Sequence, residues 1–252
     1  MLSENSILRR LPLGIDQKQM VFLDGIRHAA EIVGLAYSRL ETVLTHLVST
    51  RDELVHVYGE AYVAAFMDAW ALVDSVDRFR MLWKMLPGFP FSPEGDVRQK
   101  DFETITQPIR NLRNVTDHLA QRAEYVAASG NPVLGLLTWV TYPDGDIARG
   151  FTCLLAPGTR GRTGWKLVNP ATGGYFSTPL RTGSIHLAAG EFQADLSAVI
   201  PEITSRVHDL ELLIEHSLRE MGQEGKQAGG DHFIALAFNA ESGQAPEFDS
   251  DG

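Results

Sequence analysis

Between Phe22 and Leu47, apolar residues return every three or four positions: Phe22, Ile26, Ala29, Val33, Tyr37, Leu40, Leu44 and Leu47. That spacing lays them along one face of a helix, which begins near Met20 and ends near Ser49 and Thr50. Thr50 or Asp52 suits the cap of a second helix. The second helix carries Tyr58, Tyr62, Phe66, Trp70 and Val73, then Phe79 and Trp83 less regularly, and Pro87-Gly88 stops it. A loop rich in Pro, Gly and Phe is expected from Pro87 to Lys100. A third helix is predicted from about Asp101 to Ala128, with Phe102, Ile105, Ile109, Leu112, Leu119, Ala123 and Val126 on its apolar face. Pro108 inside it predicts a kink or a separate first segment.

Beyond Ser129-Gly130-Asn131-Pro132 the period falls from near 3.6 to near 2. Val133 to Tyr142 and Ile147 to Leu155 read as strands joined by a Pro143-Asp144-Gly145 turn. Shorter strands are predicted at Trp165–Val168, Tyr175–Pro179, Ser184–Ala188 and Glu191–Leu196, which together suggest an antiparallel meander. A last helix from Pro201 to Met221 aligns Ile203, Val207, Leu210, Ile214, Leu218 and Met221. His232 to Asn239 is a candidate strand, and the residues after Ala240 are expected to be disordered.

The fold expected is therefore α+β: an N-terminal antiparallel helical bundle, a β meander and a C-terminal helix. The expected divisions are 1–130 (helical), 131–222 (meander plus helix) and 223–252 (a mostly flexible acidic tail). If the last helix returns to the first three, the meander is an insertion in a four-helix bundle.

Composition narrows the function classes. No stretch approaches the roughly 20 apolar residues that cross a bilayer, and the first residues lack a signal-peptide pattern, so a cytoplasmic protein without a membrane partner is expected. Cys153 is the single cysteine, which rules out an intrachain disulfide and a cysteine-based zinc site. Its apolar neighbours suggest a buried structural thiol. The net charge of −10 argues against broad non-specific nucleic-acid binding but leaves room for a local basic site.

One motif carries candidate chemistry. The third helix holds Arg113-Asn114-x-x-x-His118, late in a run of helices. It resembles the signature of the HEPN family (higher eukaryotes and prokaryotes nucleotide-binding): an Arg, often followed by a polar residue, then a His a few positions on. The resemblance covers the helical half, and its specific part is six residues. It implies a metal-independent ribonuclease with no cofactor, acting as a homodimer in a toxin–antitoxin or defence setting with a protein regulator. His118 would act as general acid or base, since imidazole titrates near the working pH. Arg113 would hold the scissile phosphate, and Asn114 would orient one or the other. The other reading of the same residues is structural: Arg113 pairs with Asp117 and Asn114 with His118, each four residues apart on a polar helix face. On that reading the chain is a non-enzymatic helical interaction or regulatory protein, whose helical face and acidic tail bind another protein.

Weaker signals accompany the motif. The loop from Pro157 to Lys166 is glycine-rich and basic, and Arg160, Arg162 and Lys166 are candidate RNA contacts beside Trp165. An ordinary hairpin loop is the simpler account. His208, Glu211, Glu215 and His216 lie off the apolar face of the last helix and read as a solvated surface. His186, in a predicted strand, reads as partly buried. No metal site is expected.

Overall fold

The computed structural model describes residues 1–12, 14–50, 59–88, 97–117, 134–142, 150–156, 182–222, 231 and 233. It is an α+β fold. A short 3-10 helix, Ile7–Arg9, precedes α1 (Gln17–Ser49), α2 (Glu60–Met85) and α3 (Val97–Asp117). Strands β1 (Leu136–Thr141), β2 (Phe151–Leu155), β3 (Thr182–Ala189) and β4 (Phe192–Asp195) follow, and α4 (Val199–Glu220) closes the order.

Helix α1 starts three residues before the expected start at Met20, because the Asp16 carboxylate accepts from the backbone N–H groups of Lys18 and Gln19. Thr50 caps the end of α1 through a hydroxyl bond to the His46 carbonyl. α3 begins at Val97, so residues 97–100 are helical rather than loop, and Pro108 sits inside the helix. The predicted extension of α3 to Ala128, the strands at 165–168 and 175–179, the strand at 232–239 and the tail lie outside the described residues, His232's neighbours Asp231 and Phe233 excepted.

α1 and α2 form an antiparallel hairpin. Gly25 is the close point, where an added Cβ would lie 2.9 Å from Leu82 Cδ1. Further along, Gln19 Nε2 donates to the Pro87 carbonyl at 3.0 Å. α3 packs on α2, and α4 packs on α1 and α3, so the last helix does return to the first three.

The sheet is antiparallel with order β2-β1-β3-β4. A simple meander would continue past β2, but β3 instead lies on the other side of β1. The register of β1 on β3 shifts between Thr138 and Val140. Opposite that shift, Ser184 takes φ 47°, the left-handed conformation that a bulge demands. One continuous core joins the layers, running from Leu23, Ile26 and Phe79 in the helices to Leu137, Ile185 and Leu187 in the sheet.

Gly135 enters β1 with φ 84°, and an added Cβ would meet the Ala188 carbonyl oxygen at 2.5 Å. Neither backbone can yield without breaking the β1–β3 pairing. Gly135→Ala is expected to destabilise the fold by about 2 kcal/mol or more, measured by urea unfolding followed by circular dichroism.

Candidate functional site

The inner side of α2 is mostly apolar, but it also buries Asp68, Ser75 and Asp77, each 3% exposed. A carboxylate in that position needs cationic donors. Arg80, three residues on, donates to Asp77 Oδ1 through Nε (3.0 Å) and Nη2 (2.8 Å). Arg113 comes from α3 and donates Nη1 to Asp77 Oδ2 at 2.6 Å. Its Nε lies 3.3 Å from Asp74 Oδ1.

The Arg of the motif therefore makes two of its pairs across the α2–α3 interface. The partners observed are on α2, and the side chain is 27% exposed. Asn114 is exposed, and the neighbouring Asn111 accepts from Gln107 Nε2 at 2.9 Å. His118 lies outside the described residues, as do Arg160, Arg162 and Lys166. A phosphate approaching Arg113 would meet the negative charge of Asp74 and Asp77 at the same guanidinium. Asp74, Asp77 and Arg80 were not singled out in the sequence. The signal was there: an acid between Val76 and Phe79 among the buried positions of α2.

A polar seam runs between α1 and the sheet. Tyr37, Glu41 and Thr45 stand one helical turn apart on α1. Tyr37 hydroxyl donates to Ser197 Oγ at 3.3 Å, and Ser197 Oγ accepts from the Ile185 N–H at 2.9 Å. Thr45, Thr182 and Thr141 form a hydroxyl chain with spacings of 2.5 and 2.7 Å. Burial, with the nearby charges of Glu41 and Asp195, pushes the Tyr37 hydroxyl up to about 12 against the opposing effect of its Ser197 hydrogen bond. Burial likewise pushes the Glu41 carboxyl above the usual glutamate range. His186 is 18% exposed, with Nε2 3.9 Å from Asp195 Oδ2, so it is the partly buried histidine expected. Cys153 is half-buried rather than buried. His208, Glu215 and His216 are exposed and Glu211 is partly so.

On the other side of α1, Asp24, His28 and Asp231 each bring a ligand atom within 4.8 Å of the others. The centre of that cluster is already cationic. Arg27, 3% exposed, donates to Asp231 at 2.6 and 3.0 Å and to Asp24 at 2.9 Å, and its Nη2 lies 2.8 Å from His28 Nε2. Arg9 reaches the same turn, 2.6 Å from Glu31. The Arg27 hydrogen bond holds the Asp231 carboxyl below the usual aspartate range.

A cavity of about 200 Å³ opens between the start of α1 and the end of α4, lined chiefly by Ile15, Gln19, Leu213, Ile214 and Leu218. Its only side-chain polar groups are Gln19, whose amide N–H bonds the Pro87 carbonyl, and Ser217, whose hydroxyl bonds the Leu213 carbonyl.

The outer face of the α1–α2 hairpin is exposed and largely apolar. On α1, Val21, His28 and Leu35 form one heptad-spaced row, and Gly25, Ile32 and Arg39 form its neighbour. On α2 the corresponding rows are Met67, Asp74, Met81 and Ala71, Arg78, Met85. Leu35 is 61% exposed, Met67 52% and Met85 66%, with Ile32, Val21, Val63 and Met81 also open. Arg39 meets Asp68 (3.3 Å) and Gly25 stands against Leu82, so the Gly25-Ile32-Arg39 row lies along the seam with α2. The Ala71-Arg78-Met85 row lies one step outward from the Asp68 and Leu82 positions on the other helix, so both border one outer groove.

Comparison with family models, curated proteins and solved structures finds no match to this chain.

Two outcomes test this geometry. Asp77→Ala leaves Arg80 and Arg113 without their shared carboxylate and is expected to cost about 3–5 kcal/mol. Arg113→Ala is expected to cost about 1–3 kcal/mol, because Arg80 still pairs Asp77. Urea unfolding of both variants measures the ranking.

At Glu41 the folded pKa lies above the unfolded one, so ionisation opposes folding, and stability grows as pH falls through the folded value. Glu41→Gln is expected to melt higher than wild type at pH 7, with the difference gone below the ordinary glutamate range, as scanning calorimetry across pH would record.

Proposed function

We propose that this chain is a non-enzymatic interaction protein that presents the outer face of its α1–α2 hairpin to a helical protein partner. The observation that carries this reading is the face itself: two antiparallel helices, each with exposed apolar residues at three- and four-residue spacing, on a wall whose inner side is fully packed. Side chains in such rows interdigitate with those of another helix. Apolar side chains scattered singly over a surface need no partner. Here they share one groove, and that supports a binding surface.

The ribonuclease reading rests on the resemblance at Arg113, Asn114 and His118. It requires Arg113 to exchange two aspartates, one of them buried, for an RNA phosphate. The engagement of Arg113 with Asp74 and Asp77 supports an architectural role instead, anchoring α3 on α2. No helix among the described residues is long and apolar enough to cross a membrane.

The two readings separate in one assay. Purified protein and His118→Ala are incubated with mixed RNA in EDTA. No cleavage by either is expected. Cleavage by wild type that His118→Ala abolishes, with helical content unchanged, would establish the ribonuclease reading and make the pairing of Arg113 a resting state.

A further inference from the structure

We infer that the partner of the α1–α2 face is a second copy of this chain, docked so that the two hairpins form a four-helix layer. The inference rests on the interaction reading above and goes beyond it by naming the occupant.

Charge gives the first argument. The chain carries a net charge of −10, so two copies repel each other over most of their surfaces. The hairpin face is locally neutral. Arg78 Nε pairs with Asp74 at 2.7 Å, and Arg39 pairs with Asp68 at 3.3 Å. Self-association of an acidic protein is favoured where its own ion pairs cancel the field.

Area gives the second. α2 spans 26 residues, about 39 Å of helix. With two helices side by side the face measures on the order of 800 Å², which is what each partner of a stable, specific complex contributes.

Symmetry gives the third. The hairpin is antiparallel, so it has an approximate two-fold relation between its own helices. Apolar groups stand near both ends and at the middle: Met85 level with Val21, Ile32 and Leu35 centrally, and Met67 towards the far end. An isologous dimer needs a surface that complements itself after a half-turn, and a face with this distribution does so. Ala71, half-exposed, allows close approach beside those anchors.

The test is sedimentation equilibrium on the whole chain. Wild type is expected to sediment at twice the 27.8 kDa chain mass. The double variant Leu35→Glu, Met67→Glu places four unpaired carboxylates in the interface and is expected to raise the dimer dissociation constant by about 100-fold or more. Its circular dichroism and melting should match those of wild type, because both positions are exposed. Leu212→Glu, at an exposed site on α4, is expected to leave the dimer intact. A single-chain mass for wild type at micromolar concentration, or a dimer indifferent to the double variant, would overturn the inference.

Native mass spectrometry of tagged protein taken gently from cells separates the two levels of the proposal. A complex with a different protein, lost in the double variant, overturns the second-copy inference and keeps the interaction reading. A lone chain overturns both. A homodimer lost in the double variant supports both.

Discussion

A carboxylate turned into a helix-packing interface must be met by cations or it will not stay ionised there, and Asp77 is met twice. Arg80 comes from its own helix and Arg113 from the next, so the third helix is joined to the hairpin by charge as well as by Phe102, Ile109 and Leu112. Apolar packing alone would let α3 slide or rotate by a turn with modest loss. A bidentate acid held by two guanidiniums does not tolerate that slide, because a shift strands a buried charge. The position of α3 fixes the surface against which β4 packs, and through it the sheet.

The other buried charges follow the same rule with different geometry. Arg206 of α4, 6% exposed, stacks 4.2 Å over the Phe102 ring and 5.5 Å over Trp83, so aromatic faces answer it. Arg27 is answered by acids from its own helix and from beyond α4. Between α1 and the sheet, hydroxyls take over: the Thr45–Thr182–Thr141 chain links the two layers without any charge. Beside the shared hydrophobic core, the hydroxyl contacts described between α1 and the sheet are thus neutral, and those described among the helices are ionic and aromatic.

The sequence made the helices legible because each has one apolar stripe, and stripe and core coincide at Ile26, Val33, Leu40 and Leu44 on α1 and at Ile203, Val207 and Leu210 on α4. Strand positions were legible from alternation, most clearly in β3. Strand order was not. Alternation says which side chains share a face, but it carries nothing about which neighbour a strand chooses, and β3 chose β1. The start of α3 was missed because Val97 is followed by three polar residues, Arg98, Gln99 and Lys100, which have no periodic signal of their own. At the candidate site, local spacing suggested Asp117 as a partner for Arg113, and the Asp117 side chain lies outside the described residues; the two partners described, 36 and 39 residues earlier on α2, had no local signal. A buried ion pair between helices leaves one clue per helix, and the acids at positions 68 and 77, which interrupt the buried side of α2, were not singled out.

The stretch of α1 from Asp24 to Glu31 gathers the chain from two distant places. Arg9 reaches it from before the helix, through Glu31, and Asp231 reaches it from 204 residues beyond Arg27. A pull applied between these two segments would be shared between the ion pairs along about two turns of α1 and the hydrophobic core, where Ile7, Leu8 and Leu11 are buried. Mechanically, the early segment is held twice, by charge on α1 and by burial in the core, whereas Asp231 is fastened through Arg27.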